Sequence, residues 1–221
     1  MSLQIRHPAF IARNVTFGAL LNIIFGTLWV GDGLLALKTM QTLFLFAALA
    51  AVSTTLLVAG FRLFRSVRRF PLRMPADEFQ RKNRAINCAT IIELVGSTVL
   101  SILLVLFGRS ELVLPVIVLS VGLYLLALAL ILGLIQYYVA GALLCILPIG
   151  TVVLATPGNS WLIIVGFIGG SIQFGLASIN LRLAVSLRRR LRAERTLAVA
   201  AHGVGDAAEF STTLHHSNRS V

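Results

Sequence analysis

Residues 112–181 read LVLPVIVLSVGLYLLALALILGLIQYYVAGALLCILPIGTVVLATPGNSWLIIVGFIGGSIQFGLASINL, without one Asp, Glu, Lys or Arg. A helix rising 1.5 Å per residue crosses a hydrocarbon core of about 30 Å with about 20 mostly apolar residues, so this run has room for three crossings. Three crossings need two turns, and two interruptions are present. Gln136-Tyr137-Tyr138 is polar and aromatic, the kind of sequence that favours the membrane–water interface. Thr156-Pro157-Gly158-Asn159-Ser160 gathers turn formers, with Pro157 and Gly158 able to stop a helix.

Counting outward between charges adds three more spans. Asn14 to Leu37 is broken only by Asp32, Thr39 to Phe61 carries no charge, and Ala85 to Gly108 is broken only by Glu93. The sequence therefore predicts an all-α integral membrane bundle of six transmembrane helices, over about 15–36, 40–61, 85–107, 112–135, 138–156 and 161–182. These form a single domain, 1–200, followed by a disordered tail, 201–221. Composition agrees: the chain is 57% hydrophobic and 12% charged, against about 25% charged residues in soluble domains. So few charges cannot coat a water-facing surface. Two cysteines also exclude a disulfide scaffold.

Of the 19 Lys and Arg residues, 17 fall in the N-terminal segment, between the second and third spans, or after the sixth; only Lys38 and Arg109 lie on the other side. Basic residues in short flanking segments stay cytoplasmic, which predicts both termini inside. Trp29 and Trp161 would then line the outer interface, and Tyr137 with Tyr138 the inner one. The first apolar run is too long for a signal core and lacks a small-x-small cleavage site, so it reads as an uncleaved helix. The net charge of +11 is accounted for by topology, and no nucleic-acid partner is expected.

After the second span, Phe61, Phe64, Val67 and Phe70 recur every third residue among Arg62, Arg65, Arg68 and Arg69. Such a stretch can continue the helix along the inner leaflet until Pro71, with its apolar residues in the acyl boundary and its arginines on anionic headgroups. It reads either as a positive-inside anchor or as a lipid- or partner-recognition element. Pro75, Asp77 and Glu78 look like the first turn of the next helix, with carboxylates at its positive end. Arg182 to Arg195 extend the sixth helix beyond the membrane, Leu187 and Leu191 sharing a stripe.

Polar residues gather at one depth. Glu93 lies about 12 Å inside the cytoplasmic end of its helix, where an ionisable group is expensive and asks for a reason. Thr90, Glu93, Ser97 and Ser101 fall within an arc of about 80° at 100° per residue, forming a polar seam. On the sixth helix Gly166, Gly169, Gly170, Gln173, Ala177 and Asn180 share an arc of about 100° that would let another helix approach closely. Asn22 on the first helix, between Gly18 and Gly26, and Gln173 sit about 12–13 Å deep, with Ser53, Thr54 and Thr55 of the second helix at similar depth. One reading is a small polar site in which Glu93, with Thr90, Asn22, Ser97 and Gln173, binds a proton, a cation or a small solute. The other is glue between helices. Glycine-lined faces also suggest a homo-oligomer. Asp32 reads as a helix-end cap or a partner for Lys38, Pro148 as a kink in the fifth helix, and Cys88 and Cys145 as buried thiols.

Catalytic signatures are missing: there is no His-Glu-x-x-His, Gly-x-Ser-x-Gly or phosphate loop, and all four histidines lie outside the spans. The sequence predicts neither an enzyme nor a cofactor or metal site.

Gly108-Arg109-Ser110-Glu111-Leu112-Val113-Leu114-Pro115, continuing into Val121-Gly122-Leu123-Tyr124-Leu125-Leu126-Ala127-Leu128-Ala129, resembles a family of small uncharacterised six-helix bacterial inner-membrane proteins. A glutamate fifteen residues before the loop glycine, Glu93 here, and the run Tyr137-Tyr138-Val139-Ala140-Gly141-Ala142 carry the same resemblance, over about 81–144. The chain departs from the family's histidine and proline at Tyr124 and Ala127. The resemblance implies six spans and a multi-pass protein of the bacterial inner membrane, and brings no activity. Function is thus read as a small transporter or channel-like protein around Glu93, or alternatively as a scaffold or lipid-interacting accessory protein.

Overall fold

The computed structural model describes residues 7–37, 41–72, 74–154 and 159–217. The described residues form six α-helices: α1 (Pro8–Leu37), α2 (Thr42–Val67), α3 (Ala76–Leu106), α4 (Val113–Leu132), α5 (Ile135–Leu154) and α6 (Asn159–Ser217). A single 3-10 turn, Ser110–Leu112, precedes α4, and no strand occurs among the described residues. All six helices are long and apolar enough to cross a membrane.

Helix boundaries follow local chemistry. Gly108 and Gly133, at φ +72° and +67°, adopt the left-handed conformation that lets a chain leave a helix. The α4–α5 turn therefore falls at Gly133, ahead of Gln136-Tyr137-Tyr138, and both tyrosines join α5. Pro75 caps α3, with Asp77 and Glu78 in its first turn as expected. Helix α5 runs through Pro148 without breaking. The second expected turn lies mostly at 155–158, outside the described residues, while Asn159 and Ser160 already belong to α6. Helix α6 continues 59 residues to Ser217, through the segment expected to be a disordered tail; alanine, the strongest helix former, recurs along 198–208.

Helices α1 and α6 form the most extensive contact; α2 packs on α1, α5 on α6 and α4, and α3 on α4. The α1–α6 contact is backbone against backbone. A Cβ at Gly166 would lie 2.5 Å from the Trp29 carbonyl oxygen and 2.9 Å from the Gly33 nitrogen, and one at Gly26 would lie 3.2 Å from the Gly170 carbonyl oxygen. The glycine face of α6 thus takes its neighbour from within the chain and is not free for a second copy. Gly122 and Gly141 bring α4 and α5 together the same way, with a Cβ on Gly141 placed 2.8 Å from the Gly122 oxygen.

Large apolar side chains cover the outside: Phe44 is 80% exposed, Leu106 75% and Leu130 73%. In water such a surface would aggregate, and with six apolar helices it points to a polytopic membrane protein. Helix α3 contributes no buried residue, because only one of its faces meets the bundle. At its N-terminal end it is held to α1 by a T-shaped Phe10–Phe79 contact, centroids 6.0 Å apart, and to His7, just before α1, by His7–Glu78 at 3.1 Å, beside Lys82–Glu78 at 2.8 Å.

Several expectations change. Trp29 and Trp161 are buried within the bundle rather than lipid-facing; Trp29 fills the space left by Gly169 of α6, whose Cβ would sit 3.2 Å from the indole. Tyr137 is likewise inside the bundle. Helix α2 stops at Val67 rather than at Pro71. Arg13 ties down the chain just past that end: its Nη2 donates to the carbonyl oxygens of Arg68 at 2.9 Å and Phe70 at 2.6 Å. The Phe61-Phe64-Val67-Phe70 stripe is not one lipid face either. Steps of three drift 60° each at 3.6 residues per turn, so Phe61 is exposed, Phe64 sits half-buried against Phe17, and Val67 is fully buried.

Candidate polar sites in the bundle

Glu93 is half-buried on the α3 face that meets α4, with Thr90, Ser97 and Ser101 half-buried beside it. Most of the seam's hydroxyls are spent on their own helix: Thr90 donates to the Ile86 carbonyl at 2.9 Å, Ser97 to Leu94 at 3.2 Å and Ser101 to Ser97 at 2.6 Å. Thr90 Oγ1 also accepts from the Tyr124 hydroxyl of α4, 3.2 Å away. Among the described residues the Glu93 carboxylate has no hydrogen-bond or ion-pair partner.

A second group lies between α1, α5 and α6. Asn180 is fully buried and its Nδ2 donates to the Tyr137 hydroxyl at 3.0 Å, with Gly18 of α1 closing over both. Asn22 and Gln173 are buried in the same α1–α6 seam. Both Gln173 amide atoms, Asn22 Nδ2 and Asn180 Oδ1 have no hydrogen-bond partner among the described residues.

The predicted layer is thus divided. Asn22 and Gln173 share the central seam with Tyr137, while Thr90, Glu93 and Ser97 lie on the α3–α4 seam with Tyr124. Ser53 of α2 belongs to neither, since it accepts from Thr27 of α1 at 2.7 Å. Thr54 and Thr55 face outward in a shallow groove of about 700 Å³ along α2 that ends at Arg62. Arg62, Arg65, Arg68 and Arg69 are all exposed, with Arg65 over the Phe61 ring at 5.9 Å and Arg68 over Phe64 at 5.6 Å.

Tyr124 and Tyr137 are the residues that sequence reasoning missed as site members. A signal existed for Tyr137: Tyr137, Ala140, Gly141 and Leu144 recur at helix spacing, and all four are buried. Cys145 is half-buried near α4, but Cys88 is exposed, because α3 has one packed face only. Asp32 is exposed, and its suggested partner Lys38 lies outside the described residues.

Comparisons of the chain with protein-family models, with curated proteins and with solved structures find no match. The fold therefore defines a class alone, that of helical polytopic membrane proteins.

Proposed function

We propose that this chain is a small transporter or channel-like protein of the bacterial inner membrane, both ends cytoplasmic, in which Glu93 takes up a proton, a cation or a small polar solute. The observation that carries this reading is the state of the Glu93 carboxylate: half-buried in an apolar helix, beside two bonded hydroxyls and without a partner of its own. A carboxylate retained only as glue would be expected to hold a donor. With the Thr90 proton committed to Ile86, the Tyr124 hydroxyl donates to Thr90.

Flux in proteoliposomes under an imposed pH gradient, wild type against Glu93→Gln, tests it. Loss of flux in a variant that still folds supports the reading; equal flux in both removes Glu93 from the mechanism. A second reading, a non-transporting lipid-interacting accessory protein, draws on the four exposed arginines at the end of α2. It predicts that Glu93→Gln is silent, while replacing Arg62, Arg65, Arg68 and Arg69 by Gln abolishes a preference for anionic lipid.

A further inference from the structure

Gln173 is fully buried with neither amide atom bonded, and the same seam holds two further orphans, Asn22 Nδ2 and Asn180 Oδ1. A buried amide left dry forfeits the hydrogen bonds it had in water and gains none. Three such side chains on one helix–helix seam call for an explanation.

Register places them along a line. Gly18, Asn22 and Gly26 recur every fourth residue and share a face of α1. Gly18 lies against Tyr137 and Asn180, and Gly26 against Gly170 and Phe174. Asn22 therefore falls between those two contacts, at the level of Gln173 to Ala177 on the antiparallel α6. Ala177 is fully buried and offers only a methyl group there. The amides thus stand at successive levels across a small residue.

The donor and acceptor balance selects the ligand. A cation needs oxygens alone and an anion needs N–H groups alone. Here Gln173 Nε2 and Asn22 Nδ2 are free donors, while Gln173 Oε1 and Asn180 Oδ1 are free acceptors. A Gln173 amide turned end for end still presents one of each. No charged residue occurs in α1 between Arg13 and Asp32, or in α6 before Arg182, so nothing on these segments counters an ion's charge.

We propose that the α1–α6 seam at Asn22, Gln173 and Asn180 is a binding site for a neutral molecule that both donates and accepts hydrogen bonds. Water and a solute carrying hydroxyl or amide groups share this chemistry. Glu93 has no part in the site, so this proposal and the transport reading fail separately.

The test is a double-mutant cycle on the full chain in nanodiscs, followed by thermal unfolding. With a bridging molecule in place, Asn22→Leu and Gln173→Leu each lower Tm by about 2–4 °C. The double variant then loses less than their sum, because one shared bridge is lost once. Should Gln173→Leu fail to fold, Gln173→Met removes the same polar atoms at similar length. Raised Tm in the single variants with additive effects means a dry seam and overturns the proposal. Stopped-flow light scattering of proteoliposomes in a glycerol gradient separates the two sources. Slower re-swelling with Gln173→Met assigns a solute, and unchanged re-swelling together with a coupled cycle assigns resident water.

Discussion

Helices α6 and α3 both carry a polar seam, yet the two seams meet different surroundings. The α6 seam, through Gln173 and Asn180, is sealed against α1 by glycines whose Cβ atoms would strike backbone. The α3 seam, through Thr90 and Glu93, lies on the flank that packs chiefly on α4 and contains no buried residue. The same pattern of polar residues at helix spacing gives a closed interior in one case and a half-open flank in the other. What differs is how many faces of the helix find partners. Polar periodicity marks a face that avoids lipid, and packing decides how far water is kept away from it.

The largest effect that should break this contrast is Gly166→Ala. Its Cβ would meet the fixed Trp29 carbonyl and Gly33 nitrogen, so stability should fall by about 3 kcal/mol or more, read by thermal or denaturant unfolding. Gly96→Ala on α3 meets nothing within 4 Å and should be neutral or stabilising by up to about 1 kcal/mol. Equal losses at the two positions would remove the distinction between the helices.

Next in size is Arg13→Met, which unbonds the Arg68 and Phe70 carbonyls. A loss of about 1–2 kcal/mol is expected, with faster proteolysis at the α2–α3 turn as the local readout. Tyr137→Phe should cost about 1–2 kcal/mol, since it deprives buried Asn180 of its one bonded partner. Tyr124→Phe should cost less than about 1 kcal/mol, because Thr90 keeps its bond to Ile86. A larger loss at Tyr124 than at Tyr137 would mean that the α3–α4 seam is the better sealed of the two. Smallest of all is Glu78→Gln. It removes the ion pair with Lys82 and alters the hydrogen bond with His7, and its effect on Tm should fade as salt is raised.

The tyrosines and Arg13 make clear what could be read from the chain beforehand. Arg13 is one of seventeen basic residues with the same topological reading, and nothing in its neighbours marks it as the tie on the chain just past α2. Tyr137 reads as interfacial because it follows Gln136; the turn at Gly133 moves it inside, where burial at 137, 140, 141 and 144 follows the helix period. Asn22 and Gln173 were legible as a pair because both lie in glycine-flanked seams at matching depth. Glu93 was legible as an anomaly, but its separation from that pair was not, since depth along a helix says nothing of which neighbour the helix meets.

By itself the sequence determined the six apolar helices and their approximate limits, because the length of a charge-free run against the thickness of a hydrocarbon core is a local count. It also marked the polar seams, because periodicity is local too. Only the tertiary structure decided that α1 and α6 consume each other's glycines, that α3 packs mainly on one side, and that the polar layer divides into two groups, each with its own tyrosine. Those outcomes depend on which helices become neighbours, and neighbour choice is settled by how closely backbones can approach across the whole bundle.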